Sequence, residues 1–137
     1  MEIDLALLAD AATIDGSGKL NILGIFDRLG TSAFPTRHPR MCLVLRFSAG
    51  VHELGRHEVA IILRAPDGGQ VVRIDGEMNL AGGVRGMTSG VLVPHILNMD
   101  GLVFPRAGRY AFDVQIDGEH HVSLPLTVDG PESSVQA

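Results

Sequence analysis

Tryptophan is absent and tyrosine occurs once, at Tyr110, so the core of this 137-residue chain has to be filled by Val, Leu, Ile and Ala with five Phe. A single cysteine, Cys42, excludes an internal disulfide. Its setting, Met41-Cys42-Leu43-Val44-Leu45, is that of a small buried thiol. Basic residues are in deficit: the net charge is −5. A nucleic-acid-binding domain normally carries a basic face, so no nucleic-acid partner is expected. No apolar run approaches the ~20 residues of a membrane span. Glu2 and Asp4 precede the first apolar run where a signal peptide would be basic. The expectation is a cytoplasmic protein with no membrane partner.

Local chemical motifs are missing as well. Among six histidines, His120 and His121 are adjacent and would point to opposite faces of a strand, and His38 and His95 stand alone. There is no His-x-His, Cys-x-x-Cys or His-Glu-x-x-His spacing, so no metal and no cofactor are expected. Ser17-Gly18 and Ser89-Gly90 are turn serines with no Gly-x-Ser-x-Gly elbow around them. Gly82-Gly83-Val84-Arg85-Gly86 lacks the Gly-Lys-Ser/Thr ending of a phosphate loop and reads as a mobile loop over 81–90.

What the chain has in abundance is two-residue alternation broken by glycine and proline. Seventeen Gly and seven Pro punctuate short runs rich in Val, Ile, Leu and Phe. Strands are expected over 2–14, 19–29, 41–48, 56–65 and 70–79, with one or two more in 91–104 and a final hairpin. Residues 30–40 read as a loop. A helix over 2–14 is the alternative, since Leu and Ala favour helices, but the turn Asp15-Gly16-Ser17-Gly18 followed by a β-rich run favours a hairpin. These elements predict an all-β, antiparallel, immunoglobulin-like sandwich of seven to nine strands with little or no helix. One domain over 1–130 and a disordered polar tail over 131–137 complete the layout.

In the last hairpin, Tyr110, Phe112, Val114 and Ile116 alternate with polar or small residues, as do Val122, Leu124, Leu126 and Val128. A two-residue loop at Asp117-Gly118 would set Val114 beside His121. A three-residue loop sets Val114 beside Val122, Phe112 beside Leu124 and Tyr110 beside Leu126, and the apolar pattern selects it. Pro125 places the last strand at an edge or beside a bulge. The expected core is Leu7, Ile22, Phe26, Leu45, Ile61, Phe112, Val114 and Leu124.

The first hairpin raises the question of function. A four-residue loop at 15–18 pairs Ile14 with Lys19. Leu8, Asp10, Asn21, Leu23, Ile25 and Asp27 then share the outer face, whose centre is apolar. An apolar patch on an exposed sheet face marks a contact surface unless a loop covers it, residues 30–40 being the candidate. Asp10 and Asp27 fall roughly 13 Å apart at strand rise, too far for a catalytic pair.

The segments Asp4–Ala12, Gly18–Arg28, Phe34-Pro35 and His38-Pro39, with Phe104-Pro105, Gly108-Arg109-Tyr110 and Pro125-Leu126, resemble a family of small bacterial proteins catalogued only as a domain of unknown function. The resemblance covers most of the chain. It implies a β-sandwich in a bacterial cytoplasm and implies no activity.

Three functions compete. The first is a non-enzymatic protein-interaction or assembly module, binding a protein partner or a second copy through the face of the first hairpin. The second is a small-ligand or anion-binding sandwich using loop 34–40, where Arg37, His38 and Arg40 gather potential positive charge. The third is a hydrolase or metal enzyme whose site is assembled from distant segments.

Overall fold

The structure is a computed structural model and describes residues 1–80 and 91–131. The loop expected over 81–90 and the tail expected over 131–137, apart from Pro131, lie outside the described residues. The described residues form nine strands: β1 (Glu2–Ile14), β2 (Leu20–Phe26), β3 (Arg28–Gly30), β4 (Thr36–Ala49), β5 (Gly55–Arg64), β6 (Gln70–Leu80), β7 (Val91–Phe104), β8 (Gly108–Ile116) and β9 (Glu119–Asp129). A short 3-10 turn, Val51–Glu53, joins β4 to β5. The all-β expectation holds, and residues 2–14 form a strand.

Two sheets result, in the orders β2-β1-β4-β7 and β3-β9-β8-β5-β6. Among the described residues every pairing is antiparallel except the short β3–β9 ladder, which is parallel. That exception arises because the chain leaves the first sheet after Phe26, crosses at Asp27 and joins the second at Arg28. Residues 30–40 are only partly a loop, since β4 already begins at Thr36 and pairs with β7 from Thr36↔Phe104 onward.

Between the sheets lies a core that includes Leu8, Leu43, Leu45, Phe47, Ile61, Leu63, Phe104, Tyr110, Phe112, Val114 and Leu126, all at most 4% exposed. Of the expected core, Leu45, Ile61, Phe112 and Val114 are fully buried, and Phe26 and Leu124 pack against them half-buried. Leu7 and Ile22 do not lie between the sheets. They belong to a second cluster, around Ala9, Cys42 and Val44, on the opposite face of the first sheet.

That second cluster explains the unbroken apolar run Met41–Leu45. A strand with one wet face alternates, whereas one buried on both faces does not. Here Met41, Leu43 and Leu45 meet the inter-sheet core, while Cys42 and Val44, both 0% exposed, look the other way. They are covered by the distal half of the first hairpin, folded back over its own sheet. Ala12, Leu20 and Ile22 pack against them. Asp10–Thr13 line one cleft with Asn98 and Asp100 of β7, and Gly18–Leu20 line another with Leu92 and Pro94 of the same strand. Since β4 lies between β1 and β7 in the sheet, the hairpin tip leans over β4.

Gly24 makes the bend. Its φ of +74° is a conformation that other residues adopt only with strain. A Cβ at this position would lie 2.4 Å from Asp10 Oδ2. At Asp10 and Gly24 the two sides of the hairpin exchange roles. Leu8 and its partner Phe26 face the inter-sheet core, whereas Ala12 and its partner Ile22 cover the outer cluster.

The expected register of this hairpin is off by one. Ile14 pairs with Leu20, and Thr13 with Asn21. The loop spans five residues because Asp15 organises it. Its amide donates to the Lys19 carbonyl (2.9 Å), and its Oδ1 accepts from the amides of Ser17 (2.9 Å) and Lys19 (3.0 Å) and from the Ser17 hydroxyl (2.7 Å). An aspartate accepting from the backbone beyond it is a favoured turn device, and it draws Lys19 into the loop.

In the last hairpin the selected pairs are present: Val114↔Val122, Phe112↔Leu124 and Tyr110↔Leu126. The loop, however, has two residues, Asp117 and Gly118, both at positive φ, with Ile116↔Glu119 and Gln115↔His120 pairing beside it. A bulge between Val114 and Gln115 then restores the apolar register. Asp-Gly is the residue pair such a two-residue turn prefers, and the bulge reconciles that turn with the core.

Candidate interaction surface

The fold separates the six residues expected on one outer face. Leu8 is 2% exposed and belongs to the inter-sheet core, so it leaves the candidate patch. The reason is the shifted register, which sets it opposite Phe26 rather than Ile25. Asp10 lies against Gly24 at the bend. Asn21 is exposed near the loop, its amide 3.5 Å from the Lys19 carbonyl. Asp27 is exposed, and its carbonyl accepts from the Thr127 amide at 3.0 Å where the chain changes sheets.

Leu23 and Ile25 remain, 72% and 64% exposed, on the edge strand β2. Residues 30–40, the candidate cover, leave both side chains exposed. Among the described residues the first sheet's outer face is instead covered by the hairpin tip that carries Leu23. Ile25 opens onto a groove of about 420 Å³, walled by Ala6, Phe26 and Asp27 from the first sheet and by Leu124 and Pro125 from β9. The groove runs between the two sheets on the side where β2 ends and the chain crosses over. It is mainly apolar, with Asp27 at its rim. Pro125 cannot donate to a neighbouring strand, which blunts β9 there.

Arg37, His38 and Arg40 each turn to a different neighbour. The Arg40 guanidinium lies 3.9 Å from the Asp100 carboxylate, both being well exposed. The His38 ring sits 6.2 Å from that of Phe26. The Arg37 guanidinium lies over Gly101. Their cations are not focused on one point.

A second groove, about 390 Å³, lies on the outer side of the second sheet, lined by Glu58, Arg73, Asp75, Glu77 and Gln115. Two of its charges pair with each other, Arg73 with Asp75 at 3.1 Å, and Glu77 pairs with Arg56. Exposed pairs of this kind contribute little to stability and leave the surface solvated. Among the described residues no group of three or more His, Cys, Asp or Glu side chains is placed to hold a metal, and no helix is long and apolar enough to cross a membrane.

A polar cluster not foreseen from the sequence joins His57 to Asp117. Nδ1 of His57 lies 2.6 Å from Asp117 Oδ2, and Nε2 lies 2.5 Å from the Glu53 carbonyl. Asp117 also accepts from the Glu58 amide (3.0 Å) and donates its own amide to the Glu58 carbonyl (2.8 Å). These groups come from segments some sixty residues apart, so spacing along the chain carries no signal of them.

Fold and surface together define a two-sheet β-sandwich with an exposed apolar edge. The chain belongs to the family of unknown function DUF6941, which matches residues 4–129. A search of curated proteins found no significant match.

Proposed function

We propose that this protein is a non-enzymatic interaction or assembly module of a bacterial cytoplasmic system. The observation that carries the reading is the exposure of Leu23 and Ile25, two residues apart on an edge strand, with Ile25 lining the apolar groove at Leu124 and Pro125. Two large aliphatic side chains left in water on an edge strand cost solubility and invite pairing with another chain. Covering them is the simplest gain available to a partner. A second copy is the simplest partner, because two-fold dimers are the commonest oligomers.

The test is sedimentation velocity of the wild type and of Leu23→Glu at tens of micromolar. Leu23 contacts solvent rather than core, so the variant keeps the wild-type far-ultraviolet spectrum and unfolding midpoint. The expected result is a wild-type dimer and a folded monomeric variant. A monomeric wild type removes self-association. A variant that associates as the wild type does removes this face as the contact.

A further inference from the structure

At the end of the sandwich opposite the sheet crossover, one histidine bridges two turns. The His57 side chain is only 16% exposed, and both of its ring nitrogens face acceptors. A carboxylate and a peptide carbonyl have no proton to give, so both nitrogens must donate, and only the imidazolium does that. The neutral ring, in either tautomer, leaves one of the two contacts without a proton. We propose that His57 is a proton-dependent clasp: its imidazolium ties the Val51–Glu53 turn to the Asp117-Gly118 turn of the last hairpin, and loss of the proton releases the 3-10 turn.

The surrounding charges favour the cation. Asp117 faces it from the β8–β9 turn, and Glu53 from the 3-10 turn. The hydrogen bond to Asp117, then that to the Glu53 carbonyl, raises the His57 pKa above its ordinary value. The same bond holds Asp117 below the usual carboxylate range, with a smaller effect from His121. Glu53 is itself engaged by the Met1 amino group and by the Gly50 amide, which its Oε1 accepts at 3.0 Å. On β6 the residue opposite His57 is the uncharged Met78, and the nearby Glu77 is paired with Arg56. Of the other groups named, the Met1 amino group acts on the Glu53 carboxylate and His121 on that of Asp117. At the 3-10 turn the Glu53 amide donates to the Gly50 carbonyl at 2.9 Å. The Met1 amino group ties the turn to the start of β1, and His57 is what ties it to the last hairpin.

The experiment is a proton titration of the intact protein by NMR, following the His57 ring and the hydrogen-exchange protection of the Glu53 amide. The expected result is a His57 midpoint above the ordinary 6.5 and a Glu53 protection factor that falls across that midpoint. Asp117→Asn should lower the proton affinity of His57 about tenfold or more, since the opposite charge is removed. In His57→Gln the protection of Glu53 should no longer depend on pH. A wild-type midpoint at or below 6.5 overturns the clasp, and this requires no variant to fold. So does Glu53 protection that tracks pH identically in wild type and His57→Gln.

Discussion

The hydroxyl of Tyr110 donates to the carbonyl of Arg106 at 2.7 Å and accepts from the Arg106 amide at 3.3 Å. Tyr110 itself is 0% exposed, its ring edge-on to Phe104 at 5.1 Å. The corner Phe104-Pro105 to Gly108 thus closes on the side chain that follows it. Immunoglobulin-like sandwiches use a tyrosine in a similar way. Tyr110→Phe keeps the ring and strips the corner of both bonds. The expected cost is ~1–2 kcal/mol, measured as a lower urea midpoint at unchanged slope. An unchanged midpoint would mean that water replaces the hydroxyl at no cost.

Gly24→Val should detach the hairpin tip. The added side chain meets Asp10, and φ +74° is strongly disfavoured for a β-branched residue. The reporter is Cys42, which the tip and β4 together bury and whose thiol burial pushes up in pKa. Wild-type Cys42 should react with a thiol reagent only after unfolding, whereas in Gly24→Val it should react in the folded protein. Equal protection in both would show that the tip does not depend on the glycine.

Leu8 and Leu23 were expected to share a face, and the fold gives them opposite fates. Leu8→Ala empties a core site and should cost ~2–5 kcal/mol. Leu23→Ala removes an exposed side chain and should stay within about 0.5 kcal/mol when unfolding is followed under dissociating conditions. Comparable losses at the two positions would contradict the register Leu8↔Phe26.

Acid should act on stability first through His95. Burial beside Phe47 lowers its pKa below 6.5. The unfolded chain therefore takes up the proton first, and stability falls as pH drops below about 6.5. The contribution of His57 has the opposite sign: its raised pKa adds stability below about 6.5 that is lost as pH rises through the folded value. Carboxylates held low, such as Asp4 by Arg46 and Asp15 by Ser17, act only below their ordinary value near 3.8. His95→Leu should flatten the decline just below pH 6.5 and leave the more acidic one, read from urea midpoints across the range. A wild-type decline that persists unchanged in His95→Leu would assign it to another group.

The alternation in Tyr110–Ile116 and Val122–Val128 was enough to select the core pairs of the last hairpin, because one residue of slip would bury its polar side chains. The chain also carried the strand class of residues 2–14, since the turn signal that follows them is local. It did not carry the five-residue loop at Asp15, whose side-chain bonds compete with simple turn lengths, nor the bulge beside Gln115. The fate of Leu8 was hidden for the same reason: its face depends on a register that one aspartate sets. The continuous run Met41–Leu45 marked a strand with a buried thiol, but not that both of its faces are covered, nor by what. Only the tertiary structure decided that the cover is the hairpin's own tip, bent at Gly24, because that contact joins segments whose meeting depends on a backbone angle. His57 and Asp117 meet by the same rule: sequence fixes what each side chain can donate or accept, and packing decides which of them come within reach.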